Sequence, residues 1–132
     1  MFFLEAVPAH ELLAYMSSAT LLIQAYKPSY AEAYAFPHKV MEYLTSGKVV
    51  VSTYLEVLKD LSFESAIAMT RDDEEFTALF DRVISDLPYW NSTSLQTKRR
   101  SIAAAHSYER KIDEIEVLIS ALPARKSMTT KK

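Results

Sequence analysis

Pro37-His38-Lys39-Val40-Met41-Glu42-Tyr43-Leu44-Thr45-Ser46-Gly47-Lys48-Val49-Val50-Val51-Ser52-Thr53 is the stretch that decides the fold. Proline is pre-set for the first turn of a helix, so Pro37 opens one. Val40, Met41 and Leu44 then share one helical face, and His38, Lys39 and Glu42 share the opposite one. Gly47 stands where a left-handed C-terminal cap is wanted. Lys48-Val49-Val50-Val51-Ser52-Thr53 follows as a short β-branched run, the kind buried on both faces of a parallel sheet. Upstream, Thr20-Leu21-Leu22-Ile23-Gln24-Ala25-Tyr26 is a similar run. The segment from Thr20 to Thr53 therefore reads strand, loop, helix, glycine, strand.

The same alternation extends outward. Phe2-Phe3-Leu4 and Ser65-Ala66-Ile67-Ala68-Met69 are further short apolar runs. Pro8 to Met16 and Leu55 to Leu61 read as helices. Asp72, Asp73, Glu74 and Glu75 put negative charge on the positive end of another. In it Phe76, Leu79, Phe80, Val83, Ile84 and Leu87 form one apolar stripe, and Pro88 is expected to stop it. Ser94 is expected to cap a helix over Leu95 to His106. Ser107 caps or bends the chain before a last helix striped by Tyr108, Ile112, Ile115, Ile119 and Leu122, ended by Pro123. The order β-α-β-α-β-α-β-α-α predicts an α/β fold, a Rossmann-like, mostly parallel sheet flanked by helices. Residues 1–122 form the domain, and residues 123–132 a disordered basic tail.

Composition bounds the chemistry. The 132 residues are 49% hydrophobic and 24% charged, ordinary for one globular domain. Without cysteine there are no disulfides, thiolate metal sites or cysteine nucleophiles. With one glycine, Gly47, neither a dinucleotide-binding glycine loop nor a P-loop can be built. The three histidines lack metal-site spacing, so no metal is expected. His10 and His106 read as a surface and a helix-terminal residue. Met1-Phe2-Phe3-Leu4-Glu5 is no signal peptide, and no apolar run reaches membrane-spanning length. A cytoplasmic location, peripheral to the inner membrane face at most, is the expectation. Asn91-Ser92-Thr93 matches a glycosylation sequon by chance, with Asn91 or Ser92 capping the next helix. From Lys98 onward nine basic and four acidic residues leave +5, against −7 for the rest. We read these basic residues as solvated helix faces. Nucleic acid is not expected as a partner; weak attraction to a membrane surface is left open.

A loop that follows the carboxyl end of a strand and leads into a helix start is where open α/β sheets bind ligands. Phe36 precedes a proline and is held extended. The free N–H groups of the Pro37 turn, with the helix dipole, suit an anion. His38 and Lys39 add a basic character, and Glu42 lies one turn further in. A carboxylate there can accept two hydrogen bonds from vicinal ribose hydroxyls while the helix start takes a diphosphate. Tyr26, Tyr34, Ser52 and Thr53 are candidate pocket-lining residues. The plainer reading makes Lys39 and Glu42 a solvated ion pair worth little, and His38 a surface residue.

Pro37 to Thr53 resembles the P-x-K-x-x-E-Y-L-x-x-G-K-P-V-V-x-T segment of GT-B glycosyltransferases, in the C-terminal, donor-binding half of the group-1, family-four-like enzymes. Phe3 to Met16, Phe76 to Phe80 and Ser107-Tyr108-Glu109-Arg110 are similar, more weakly, to flanking units in the same order. The resemblance implies binding of a nucleotide sugar, a UDP- or GDP-sugar, as substrate with no further cofactor. It implies retaining, hexosyltransferase-like transfer in polysaccharide biosynthesis. Glu42 matches the residue that holds the donor ribose, and Phe36-Pro37-His38 the loop and helix start near the diphosphate. Lys39 matches a frequent motif position. The sequence departs from the family at Ala35, where the first glutamate of an E-x7-E pair would stand, and at Glu5 and Val49, which replace a glycine and a proline. The family's donor half has two further strands carrying a basic pair, preceded by an acceptor-binding half, and this chain has neither. The expectation is an incomplete C-terminal half of a GT-B fold, inactive alone and completed by an upstream polypeptide, with no catalytic residue assigned. An exposed sheet edge leaves self-association open. The alternative is a non-enzymatic α/β module that docks a partner through its C-terminal helices. A response-regulator-like domain is a weaker option, because no acidic cluster follows a strand.

Overall fold

Val49, Val50 and Val51 are fully buried, and the strand they build is the centre of the sheet. Burying one valine side chain stabilises a fold by about 1.5 to 3 kcal/mol, so this run is a strong anchor. A computed structural model describes residues 6–25, 38–59, 66–71 and 75–122 of the chain. Three strands, β1 (Leu22–Gln24), β2 (Val50–Ser52) and β3 (Ile67–Met69), lie in the order β1-β2-β3. Both pairings are parallel: Leu22 is opposite Val50, and Val50 opposite Ile67. The α/β class with an open parallel sheet is therefore as expected. The expected strand Phe2-Phe3-Leu4 and the basic tail 123–132 lie outside the described residues.

Successive strand residues face opposite sides, and the helices divide accordingly. On one side Val50 and Ile67 pack with Val40, Met41 and Leu44 of α2 (His38–Thr45), Leu58 of α3 (Glu56–Lys59) and Ala103 of α6 (Thr93–Ala105). On the other side Val49, Val51 and Ala68 pack with Leu79 and Val83 of α4 (Phe76–Ser85), flanked by Leu87 and Trp90 of α5 (Leu87–Trp90). Helix α1 (Ala9–Ser18) buries only Met16. No helix among the described residues is long and apolar enough to cross a membrane.

Gly47 ends α2 as its position requires. Its φ is +79°, and its N–H donates to Leu44 O at 3.0 Å. The amino-terminal edge of the sheet, just past this turn, is held by side chains that bond backbone. Arg99 of α6 is fully buried, with Nε donating to Ala66 O at 2.7 Å and Nη1 to Gly47 O at 3.0 Å. Arg100 Nη2 donates to Ser46 O at 3.2 Å. Asn91 Oδ1 accepts from Val49 N at 3.0 Å, and its Nδ2 donates to Thr20 O at 2.8 Å.

The structure corrects four local expectations. Arg99 is not on a solvated face: burial pushes its guanidinium down to about 10, which leaves it charged at neutral pH. The Asn91 side chain caps no helix, because both ends of its amide are engaged by the strand openings; the residue itself ends α5, its N–H donating to Leu87 O at 2.8 Å. Helix α6 begins at Thr93, with Ser92 rather than Ser94 at the N-cap position and no side-chain cap bond. Pro88 does not simply end the helical run. It sits in the first turn of α5, where a missing N–H costs nothing, so the chain turns and resumes helix. Ser107 caps α7 (Tyr108–Ala121) as anticipated, its hydroxyl accepting from Arg110 N at 3.3 Å.

Helix α7 buries no residue. Ile112, Ile115, Ile119 and Leu122 are exposed, so the stripe that the sequence would lay on a core is uncovered.

Arg99→Met keeps the apolar stem and removes both donors, leaving Gly47 O and Ala66 O unpaired. The expected loss is about 2 to 4 kcal/mol, read as a lower urea midpoint at unchanged slope. Exposed Lys98→Met should stay within about 0.5 kcal/mol of the parent. An Arg99→Met midpoint equal to that of Lys98→Met would contradict the clamp.

Candidate functional site

Parallel strands joined by crossover helices put every strand end on one edge of the sheet, and each helix that follows a strand starts there. Here that edge is formed by Gln24, Ser52 and Met69. Thr53 N donates to Gln24 O at 3.2 Å, and Thr70 N to Ser52 O at 3.1 Å, carrying the ladder one residue past the strands. Helix α2 runs back from this edge. Its apolar residues Val40, Met41 and Leu44 are buried, while His38, Lys39 and Glu42 are exposed. The two faces are those that the residue spacing demands.

Among the described residues Lys39 and Glu42 form no ion pair with each other. The His38 ring stacks on the Tyr108 ring, with centroids 5.0 Å apart and planes inclined by 20°. The start of α7 thus lies against the start of α2. This contact joins two residues that the sequence assigned to different tasks, a ligand site and an apolar stripe. Ser52 is fully buried, and its hydroxyl donates to Thr53 O at 2.8 Å; Thr53 is half-buried. Tyr26, Tyr34, Phe36 and Pro37 lie outside the described residues.

Further along the same edge, Tyr54, Ile67, Met69, Thr70 and Arg71 line a cleft of about 70 Å³. Its floor is set by backbone donors: Tyr54 N donates to Thr70 Oγ1 at 2.8 Å, and Leu55 N to Met69 Sδ at 3.4 Å. Beside it stands an exposed polar group. The Tyr54 hydroxyl hydrogen-bonds Glu56 Oε2, and Lys59 Nζ lies 3.7 Å from Glu56 Oε1. The Glu56 carboxylate accepts a hydrogen bond from the neutral phenol and opposes its ionisation, which raises the Tyr54 pKa. Attraction to Glu56 first, and to Tyr54 second, raises that of Lys59. Sequence reading passed over these residues; the i, i+3 spacing of Glu56 and Lys59 was the signal available.

One polar group at this edge is unexplained by the fold. The Gln24 side chain is 5% exposed, and among the described residues neither its Oε1 nor its Nε2 has a hydrogen-bond partner. Among the described residues, no group of three or more His, Asp or Glu is gathered to hold a metal ion. No protein-family model, curated protein or solved structure matches this chain.

Glu56→Gln removes the charge that disfavours the phenolate. The Tyr54 pKa should fall toward that of an ordinary phenol, followed through the Tyr54 ring carbon by NMR as pH is raised. A titration curve unchanged by the substitution would contradict the pairing.

Proposed function

We propose that this chain is the nucleotide-sugar-binding, C-terminal portion of a retaining GT-B glycosyltransferase, which binds a UDP- or GDP-sugar and is not catalytic alone. The observation that carries this reading is the placement of α2. Its start stands at the carboxyl edge of a parallel sheet, its apolar face is buried, and Lys39 and Glu42 are exposed on the other face. The chemistry follows from that arrangement. The first N–H groups of a helix have no partner within it and carry partial positive charge, so they suit a diphosphate. Charge on that diphosphate grows as the bond to the sugar breaks, and fixed donors stabilise growing charge without reorganising. Lys39 adds a cation at the same end. In this reading Glu42, one turn along, accepts hydrogen bonds from both ribose hydroxyls and so fixes the nucleoside. In this reading the acceptor and the remaining diphosphate contacts come from an upstream half.

A second reading is favoured by one feature. The exposed apolar face of α7 suits an α/β module that docks a partner through its C-terminal helices. The two separate on nucleotide binding.

UDP, GDP and ADP, titrated in turn into the isotope-labelled chain, test the first reading. Amide shifts at residues 38–43 are expected with UDP or GDP. Glu42→Ala should weaken that binding at least about tenfold, because two hydrogen bonds to a charged acceptor are lost. Undisturbed amides at residues 38–43 with all three nucleotides would refute it.

A further inference from the structure

Gln24 is the last residue of β1, and its side chain shares a sheet face with Leu22, which packs against the cluster holding Val40 and Met41. Those residues lie in the opening turn of α2, whose start stands at the edge where Gln24 ends its strand. The amide is therefore directed to the face covered by that helix, at its amino-terminal end. Its backbone carbonyl is used, with Gln24 O accepting from Thr53 N. The hydroxyl of Ser52, its neighbour across the sheet, is already given to Thr53 O. Among the described residues the amide is left with a buried donor and a buried acceptor, both unmade.

A buried polar atom without a partner costs free energy, and folded proteins leave few of them. Leucine or methionine would fill the same volume beside Leu22 without that cost. Retaining an amide there is accounted for when something outside the ligand-free fold completes it.

We infer that Gln24 is a ligand-binding residue of the α2 site, and that it takes a neutral group presenting a hydrogen-bond donor and an acceptor side by side. A phosphate, which offers only acceptors, would satisfy half of the amide; the imide edge of a nucleobase or the vicinal hydroxyls of a hexose satisfy both halves. The inference rests on the nucleotide-sugar reading and extends it, adding to the helix start and Glu42 a residue that selects the uncharged part of the ligand.

The test compares the parent chain with Gln24→Leu, in urea denaturation and in calorimetric binding of UDP, UDP-glucose, GDP and GDP-mannose. The expected result is a urea midpoint equal to or above the parent's, together with binding weaker by about tenfold, the loss of two neutral hydrogen bonds. A loss seen already with UDP or GDP assigns the contact to the base, and a loss confined to the nucleotide sugars assigns it to the hexose. A lower midpoint shows that the amide has a partner within the protein and overturns the inference. So does unaltered affinity in a variant as stable as the parent, with the nucleotide-sugar reading left standing. If the parent itself binds none of the four ligands, that reading fails and this inference fails with it.

Discussion

The Arg99 guanidinium, buried and shared between the carbonyls of Gly47 and Ala66, is the contact on which the rest of the architecture depends. Those carbonyls belong to the turns that feed β2 and β3, so one side chain from α6 fixes where both strands begin. A charge taken out of water is costly unless its hydrogen bonds are made. The two made here, at 2.7 and 3.0 Å, are charge-assisted and offset part of that cost, while Nη2 is buried without a partner among the described residues. Arg100 and Asn91 work on the same edge, one on the last turn of α2 and the other on the openings of β1 and β2.

The two edges of the sheet consequently differ in kind. At the amino-terminal edge, side chains from the later helices satisfy the backbone and leave the strand openings tied. At the carboxyl edge, the helix start, the exposed Lys39 and Glu42, the cleft beside Tyr54 and the orphan amide of Gln24 leave polar capacity unused. The amino-terminal edge keeps one unmade donor of its own, because Arg99 Nη2 is buried with no hydrogen-bond partner among the described residues.

Helix α7 is the element least explained by the body of the fold. It is well formed locally, with a Ser107 cap and a regular apolar stripe, yet it buries nothing. Its one described ring contact, Tyr108 on His38, joins its start to the start of α2. An amphipathic stripe states that a face is apolar; it does not state what covers it.

Much of the fold was legible in the residues alone. The order of elements, the parallel sheet, the buried β2, the cap at Gly47 and the two faces of α2 rest on local periodicity and local backbone constraints, which a chain carries wherever it folds. The roles of Arg99 and Asn91, the stacking of His38 on Tyr108, the helical turn at Pro88 and the unmade hydrogen bonds of Gln24 were settled only by tertiary structure. Arg99 meets partners 33 and 52 residues away, and Asn91 partners 42 and 71 away. No spacing rule within a helix or strand reaches so far. A cationic side chain reads as a surface residue until the fold brings two unpaired carbonyls to meet it.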